Sequence, residues 1–289
     1  MSDAVERTMA KLAAASGPAR ERDRTRLIAP VLGALLLLLF LACALFPGRI
    51  APYDPNHLDY LALLKPPSLA HPFGTDNLGR DMLSRVIFAA SIDLQIAIFC
   101  TVLPLLFGTV IGALIGYRGG LLDALFGRLV DLSVTVPFLI LVIAIVAVLG
   151  PGLFNLYVAV SLVGWVPYAR LTRSEMMVQS KRDYAAAARA MGFGTWRIVF
   201  RHLLPNAITP TIVYWMTDLS LAVLLGSSLG YLGLGAQPPT AEWGVLIADG
   251  KNFMTTAWWM SIFPGAAIVM AGLSFSLLGD TLADWLRPK

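Results

Sequence analysis

Residue types that commonly carry catalysis or bind metals are present in this chain, but they are scattered. The three histidines, His57, His71 and His202, form no ligand cluster, and Cys43 and Cys100 fall inside apolar runs, where neither a disulfide framework nor a metal site is expected. No Gly-x-x-x-x-Gly-Lys-Ser/Thr phosphate loop occurs, and no Ser/His/Asp set or carboxylate pair converges in the sequence. We therefore predict that the chain is not an enzyme and binds no cofactor or metal ion itself.

The composition indicates a membrane protein. Of the 289 residues, 57% are hydrophobic and only 14% are charged, whereas soluble globular proteins carry about 25% charged residues. The mean hydropathy of +0.71 agrees with this interpretation. A net charge of +4 is too small to indicate nucleic-acid binding, so the predicted surroundings are a lipid bilayer and protein partners.

Two aspartates lie within apolar segments and are candidates for a polar role. Asp218 lies inside its segment with Thr217 and Ser220 beside it, whereas Asp93 lies near the outer end of another segment and is expected to be uninformative. A charge at the middle of a membrane costs on the order of 2.5–3.5 kcal/mol, so it normally faces a helix-bundle interior or a water-filled cavity. Asp218 is therefore either a lining residue of a polar pathway or a hydrogen-bonding partner between helices.

Six apolar segments are predicted to span the membrane, because about 20 apolar residues in a helix cross the hydrocarbon core. The first segment also has basic residues before it and Leu41-Ala42-Cys43 near its end, which faintly resembles a lipoprotein cleavage box, but its length favours an uncleaved span. The segments are residues 27–46, 89–117, 132–149, 153–169, 207–229 and 257–278.

The distribution of basic residues predicts the orientation. Six spans place both termini on one side, and the segments on that side hold 17 of the 22 Lys and Arg residues. The positive-inside rule therefore predicts cytoplasmic termini. The resulting division is a cytoplasmic tail (1–26), a first span (27–46), an extracytoplasmic segment (47–88), a five-helix core (89–279) that contains a cytoplasmic loop (171–207), and a cytoplasmic tail (280–289).

The cytoplasmic loop 171–207 is predicted to begin with a short helix. Ser180 and Asp183 have the spacing of a capping box, and the four alanines 185–188 have the highest helix propensity. Gly192, followed by Gly194, supplies a stop signal. One face of this helix is expected to form a nearly flat patch of small residues suited to close docking; it comprises Tyr184, Ala187, Ala188 and Met191.

A second helix is predicted to follow in the same loop, capped by Thr195 and ended by Pro205. Apolar residues recur at i, i+3, i+4, i+7 and i+8, which places them on one face: Trp196, Val199, Phe200, Leu203 and Leu204. On pattern alone, the two helices are either a docking element or an ordinary solvated loop.

The extracytoplasmic segment 47–88 is rich in proline early and then carries several charged residues between 76 and 85. Apolar residues at helical spacing within 78–88 suggest an amphipathic helix on the outer membrane surface. The alternative is a connector that fixes the start of the second span.

The cytoplasmic loop resembles the EAA loop of ABC-importer permeases, in which a short helix inserts into a cleft of a cytoplasmic ATPase. Ala187, Ala188, Gly192, Leu204 and Pro205 match the motif, while its glutamate is replaced by Ala186. The resemblance implies that the loop couples the chain to an ATPase through a set of nine residues: Tyr184, Ala185, Ala186, Ala187, Ala188, Arg189, Gly192, Leu204 and Pro205.

The rest of the chain resembles permeases of the dipeptide/oligopeptide importer family, C-subunit type. The matching residues outside the loop include an extracytoplasmic signature before the second span, and further motifs near the fifth and sixth spans: Gly74, Thr75, Asp76, Gly79, Arg80 and Asp81; Tyr231-Leu232-Gly233-Leu234-Gly235, Gln237-Pro238-Pro239, Trp243-Gly244, Pro264-Gly265 and Gly279-Asp280. Departures from the family pattern occur at four positions: Ser91, Asp93, Ala283 and Arg287.

This resemblance implies an all-α integral membrane protein with the ABC type I importer permease fold in the bacterial inner membrane. The implied partners are a second homologous permease, two cytoplasmic ATPase domains that use Mg-ATP, and an extracytoplasmic binding protein that delivers di- or oligopeptides. A nickel chelate or glutathione is the alternative substrate. A self-sufficient secondary transporter and a non-transporting scaffold are the competing interpretations.

Overall fold

The computed structural model describes residues 19–286, with side chains from residue 28 onward. Regular structure in this range is helical apart from one antiparallel bridge between Thr75 and Asp81, which confirms the all-α prediction. The tails beyond this range lie outside the described residues. The helices are α1 Ala19–Leu45, α2 Pro47–Ile50, α3 Met82–Arg118, α4 Gly120–Thr135, α5 Phe138–Leu149, α6 Leu153–Gln179, α7 Asp183–Ala190, α8 (three consecutive stretches, Thr195–Arg197, Ile198–Leu203 and Leu204–Ala207), α9 Thr209–Tyr231, α10 Trp243–Gly250 and α11 Trp259–Leu286.

Four of the described helices are long and apolar enough to cross a membrane: α1, α3, α9 and α11. The pair α4 and α5 would supply a fifth span if the two helices together cross the membrane. Helix α6 is not among them, so the count of six and the shared side of the termini stay predictions.

Residues 132–149 do not form the single continuous span that their hydropathy predicted. The helix stops at Thr135 and restarts at Phe138, and the axes of α4 and α5 differ by 84°. Pro137 lacks a backbone N–H and disfavours a helical conformation in the residue before it, and Val136 is accordingly extended at φ −95° and ψ 129°.

Helix α3 starts at Met82, seven residues before the predicted start of the second span. Its N-cap is Asp81, whose carboxylate accepts a hydrogen bond from the Ser84 backbone N–H at 2.8 Å. Val86 and Ile87, which were expected to lie on the membrane surface, are buried in the bundle. The prediction of a separate amphipathic helix over 78–88 is therefore wrong.

Helices α3 and α6 form the most extensive helix pair, and three glycines allow their close approach. Gly108, Gly112 and Gly116 recur every four residues along one face of α3. A Cβ on each would lie 2.4, 2.4 and 2.5 Å from the carbonyl oxygens of Trp165, Ala169 and Arg173, which are all on α6. Only hydrogen fits there, as in other small-residue interfaces between membrane helices.

The second half of the bundle packs α1, α3, α9, α10 and α11 around one apolar cluster. The Phe40 ring on α1 lies 5.5 Å from the Trp243 ring and 6.0 Å from the Phe275 ring, between centroids. The short helix α10 thus joins the core of the bundle rather than lying on its surface.

Candidate functional site

The loop between α6 and α9 contains two helices, α7 and α8, as predicted. The predicted capping box is wrong, because Arg182 is the N-cap of α7 and no side chain caps this helix. Ser180 is instead the C-cap of α6, and its hydroxyl donates to the Met177 carbonyl at 3.0 Å. The Ser180 side chain is thus bonded within the end of α6 and does not cap α7.

The stop signal after α7 is confirmed at Gly192. Its φ of +74° is in the left-handed region that favours glycine. The Phe193 N–H then donates to the Ala188 carbonyl at 3.2 Å, which closes the end of the helix. A Cβ on Gly192 would meet nothing within 4 Å, so this position requires glycine for its backbone conformation and not for space.

Helix α7 turns two of its alanines toward its own chain. Ala185 is 0% and Ala188 3% exposed, and both pack in a cluster with Met176 of α6 and with Val199 and Leu203 of α8. The prediction that Ala188 belongs to an outward docking surface is therefore wrong. Small side chains at these two positions allow α7 to lie close to α6 and α8.

A neighbouring side of α7 is exposed and, with its C-cap Met191 and with Trp196 of α8, forms what we call the docking patch: Tyr184, Ala187, Met191 and Trp196. The Met191 and Trp196 side chains are 64% and 66% exposed, although both lie outside the candidate membrane spans. Exposed basic side chains surround the patch: Lys181, Arg182, Arg189, Arg197 and Arg201. Ala186, at the position of the motif's glutamate, is also exposed.

Helix α8 contains a π-helical stretch, Ile198–Leu203, which changes the predicted face. Val199 and Leu203 are fully buried as expected, whereas Trp196 points outward. Thr195 does not cap the helix, since Gly194 occupies that position. Pro205 does not end it either, because it lies near the start of the final stretch and the helix continues to Ala207.

A stack of side chains joins the turn after α7 to α8. The Phe193 ring lies parallel to the His202 ring at 5.4 Å between centroids, and the Arg197 guanidinium lies 4.1 Å from the Phe193 centroid. These contacts hold the turn after α7 against α8. The loop is thus a packed unit and not a solvated connector.

Asp218 lies on α9 and accepts a hydrogen bond from the Tyr168 hydroxyl of α6 at 2.6 Å. Ser220 donates to the Gly272 carbonyl of α11 at 2.9 Å, and Thr217 is exposed. The three predicted polar residues therefore point to different neighbours. Asp218 and Ser220 act as interhelical hydrogen-bonding partners here, and a pathway role for Asp218 stays a prediction.

The extracytoplasmic signature forms a buried ionic centre around Asp76. Its carboxylate, fully buried, accepts hydrogen bonds from the side chains of Arg80 and Arg85, both at 2.6 Å. Asp249 of α10 lies 3.7 Å from both guanidinium groups. Burial raises the pKa of the Asp249 carboxyl, although the two arginines oppose that shift. The centre ties the segment before α3 to α10.

The other signature residues hold the same turn in place. Asp81 accepts from the His71 ring at 2.9 Å as well as from Ser84, and the Trp259 indole donates to the Thr75 carbonyl at 3.0 Å. Gly79 has a φ of +77°, and a Cβ there would lie 1.8 Å from the Asp59 carbonyl oxygen. The geometry agrees with a connector that fixes the start of α3.

A second buried centre was missed by the sequence reasoning. Asp93 is fully buried and accepts hydrogen bonds from the Ser227 hydroxyl and the Trp243 N–H, each at 3.2 Å. The Glu242 carboxylate, also fully buried, lies beside Asp93 and caps α10 by accepting from the backbone N–H groups of Gly244 and Val245. The prediction that Asp93 is uninformative is therefore wrong.

Comparison with known proteins identifies the family. Residues 108–289 match the family described as binding-protein-dependent transport system inner membrane component. The chain is 39% identical to the probable D,D-dipeptide transport system permease protein DdpC of Escherichia coli K12. The aligned region covers 90% of this chain and 87% of the relative. The chain is 42% identical to the di/tripeptide transport system permease protein DppC of Pseudomonas aeruginosa, over 89% of this chain and 87% of the relative.

A third relative carries a different substrate name. The glutathione transport system permease protein GsiD of Pectobacterium atrosepticum is 38% identical over 90% of this chain and 86% of the relative. These matches span nearly the whole of each protein. The chain therefore belongs to the family of binding-protein-dependent transport system inner membrane components.

Proposed function

We propose that this chain is a peptide permease subunit of an ATP-driven importer in the bacterial inner membrane. With a second permease it forms the pathway for di- or oligopeptides delivered by an extracytoplasmic binding protein. The names of the relatives support the peptide substrate. ATP hydrolysis takes place in two partner ATPase domains, and this chain couples to them through the loop 171–207.

The observation that carries the coupling role is the two-sided packing of α7. Its inner face, Ala185 and Ala188, packs against α6 and α8, while its outer face leaves Met191 and the neighbouring Trp196 exposed. Large exposed apolar side chains ringed by polar groups are typical of protein-binding surfaces. The basic residues around the patch favour an acidic rim on the partner.

The packing also supplies a route for movement. Met176 of α6 touches the inner cluster, and it lies where a Cβ on Gly116 of α3 would reach it at 2.9 Å. Arg173 of α6 forms a bidentate ion pair with Asp123 of α4, in which the Nη2–Oδ2 distance is 2.8 Å. We infer that closure of the ATPases pushes α7 and shifts α6 relative to α3, which switches the pathway between its two accessible states.

Site-directed crosslinking tests the docking role. In a background without the two native cysteines, Ala187→Cys places a thiol on the exposed face and Ala185→Cys places one on the buried face of the same helix. Ala187→Cys is expected to react with a thiol reagent in the isolated chain and to be protected when the ATPases bind. A short bifunctional reagent should link it to an ATPase chain.

Ala185→Cys is the matched control, because it lies two residues away but has no exposed surface. It should react slowly in both conditions and give no crosslink. Equal reactivity of Ala187→Cys with and without ATPases, in a complex that still hydrolyses ATP, would contradict the docking role. The same complex then reports separately on uptake of a labelled dipeptide.

Glutathione is the second candidate substrate, because one relative is a glutathione permease at 38% identity. Competition in whole cells separates the two, since a dipeptide importer should lose labelled dipeptide uptake when unlabelled dipeptide is added and keep it when glutathione is added.

A self-sufficient transporter would instead take up substrate in vesicles that hold this chain and an ion gradient but no ATPase.

A further inference from the structure

Two buried carboxyl groups meet within the first third of α3. Asp93 comes from α3 and Glu242 from the start of α10, and both side chains are 0% exposed. Asp93 Oδ2 accepts a hydrogen bond from the backbone N–H of Trp243, the residue directly after Glu242, at 3.2 Å, so the two carboxyl groups lie close to each other. The Ser227 hydroxyl of α9 contacts this pair, with its oxygen 3.2 Å from Asp93 Oδ1. The pair therefore connects three helices.

No cation among the described residues compensates these two acids. The buried arginines closest along the chain, Arg80 and Arg85, pair with Asp76 and Asp249 instead. The remaining groups around the pair are neutral donors, apart from the titratable phenol of Tyr157, which faces Asp93 from α6. Two adjacent carboxyl groups that are fully buried, with no compensating cation among the described residues, cannot both ionise at moderate cost.

Two glycines allow the Glu242 side chain and the start of α10 to lie very close to the backbone of α9. A Cβ on Gly230 of α9 would lie 1.9 Å from Glu242 Oε2, and one on Gly244 would lie 1.8 Å from the Ser227 carbonyl oxygen. Helix α10 is thus seated directly on the backbone of α9. The Trp243 indole adds a hydrogen bond to the Val86 carbonyl of α3 at 3.0 Å.

We propose that Asp93 and Glu242 share one proton, and that this proton is a latch that holds α10 against α3 and α9. With the proton present, one carboxyl donates to the other and all three helices stay joined. When the proton leaves, two anions face each other, and α10 separates from α3. The latch belongs to the fold of this chain and does not depend on the proposed substrate.

The sign of the pH dependence follows from burial. Burial raises the pKa of the Glu242 carboxyl above its ordinary value. A raised pKa in the folded state means that the folded state holds the proton more tightly than the unfolded state does. The stabilisation is therefore complete below the unfolded pKa and is lost as the pH rises through the folded pKa.

Infrared spectroscopy of the full-length chain tests the shared proton directly. The wild type should show a carbonyl band of a protonated carboxyl group, and this band should shift after full exchange into D2O. Asp93→Asn and Glu242→Gln each replace the shared proton with an amide N–H while keeping the hydrogen bond. Each variant alone should lose the band, whereas the exposed Asp131→Asn should keep it.

Thermal unfolding against pH provides the second readout. The midpoint of the wild type should fall as the pH rises through the folded pKa, and this fall should be absent in Asp93→Asn and Glu242→Gln. Persistence of the full band in either variant would overturn the proposal, as would parallel pH profiles of wild type and variants. If both variants fail to fold, absence of a D2O-sensitive carboxyl band in the wild type is the overturning result.

Discussion

Replacing Gly112 with alanine tests the close contact between α3 and α6. The added Cβ would lie 2.4 Å from the Ala169 carbonyl oxygen, so the helices must separate by at least about 0.6 Å to reach 3.0 Å, a distance below which real Cβ atoms essentially never approach. Overpacking of this kind typically costs about 1–3 kcal/mol. Alanine also gains about 1 kcal/mol of helix propensity, which opposes the loss.

Gly127→Ala on α4 is the control for the gain in helix propensity that comes with replacing glycine by alanine. A Cβ at Gly127 would meet nothing within 4 Å, so this variant has the gain in propensity without the clash. The free energy of unfolding should therefore be about 1–3 kcal/mol lower in Gly112→Ala than in Gly127→Ala. Denaturant titration in one detergent, followed by tryptophan fluorescence, measures both.

Equal unfolding free energies for the two variants would refute the glycine contact. That result would mean that α3 and α6 do not approach each other as closely as described, or that the contact has slack. Because α6 also carries Met176, which touches the inner face of α7, Gly112→Ala should in addition lower peptide uptake more than ATPase binding.

Three further predictions concern single residues. Arg85→Met leaves the buried Asp76 with one cation fewer and should destabilise the chain by about 3–5 kcal/mol, seen as a lower yield of folded protein at equal expression. Tyr168→Phe removes a hydrogen bond to Asp218 and should cost about 1.5–3 kcal/mol in thermal unfolding; unchanged uptake by the folded variant would argue against a pathway role for that aspartate. Gly192→Val forces a β-branched residue into a left-handed conformation and should abolish uptake while the chain still inserts into the membrane.

The sequence was informative where the signal is local. Gly192 follows the end of α7 with a φ above zero. Glycine is the residue that adopts this conformation most readily, so the residue type alone indicated the stop. The long apolar runs of α1, α3, α9 and α11 likewise indicated helices that are long and apolar enough to cross a membrane. Short motifs carried the family, which the comparisons then confirmed over residues 108–289.

The sequence was misleading where direction or distant partners decide. A hydropathy average depends on which residues a segment contains and not on the direction of its backbone. The average over 132–149 therefore could not reveal the 84° bend at Pro137. The apolar spacing within 78–88 suggested a surface helix, whereas Arg85 on that stretch is neutralised by Asp76 inside the bundle. Asp93 and Glu242 meet only through the folded chain, and nothing near either residue in the sequence signals the other.

The π-helical stretch in α8 gives a meaning to the interval between Gly192 and Pro205. A wide turn holds more residues than an α-helical turn, so the interval includes residues that an ordinary helix would not accommodate. Removing one residue from Ile198–Leu203 would let the turn tighten, and everything after it would rotate by about 100° around the helix axis. The length of this interval therefore sets the rotation of the following helix, and with it which side of α9 faces the other helices.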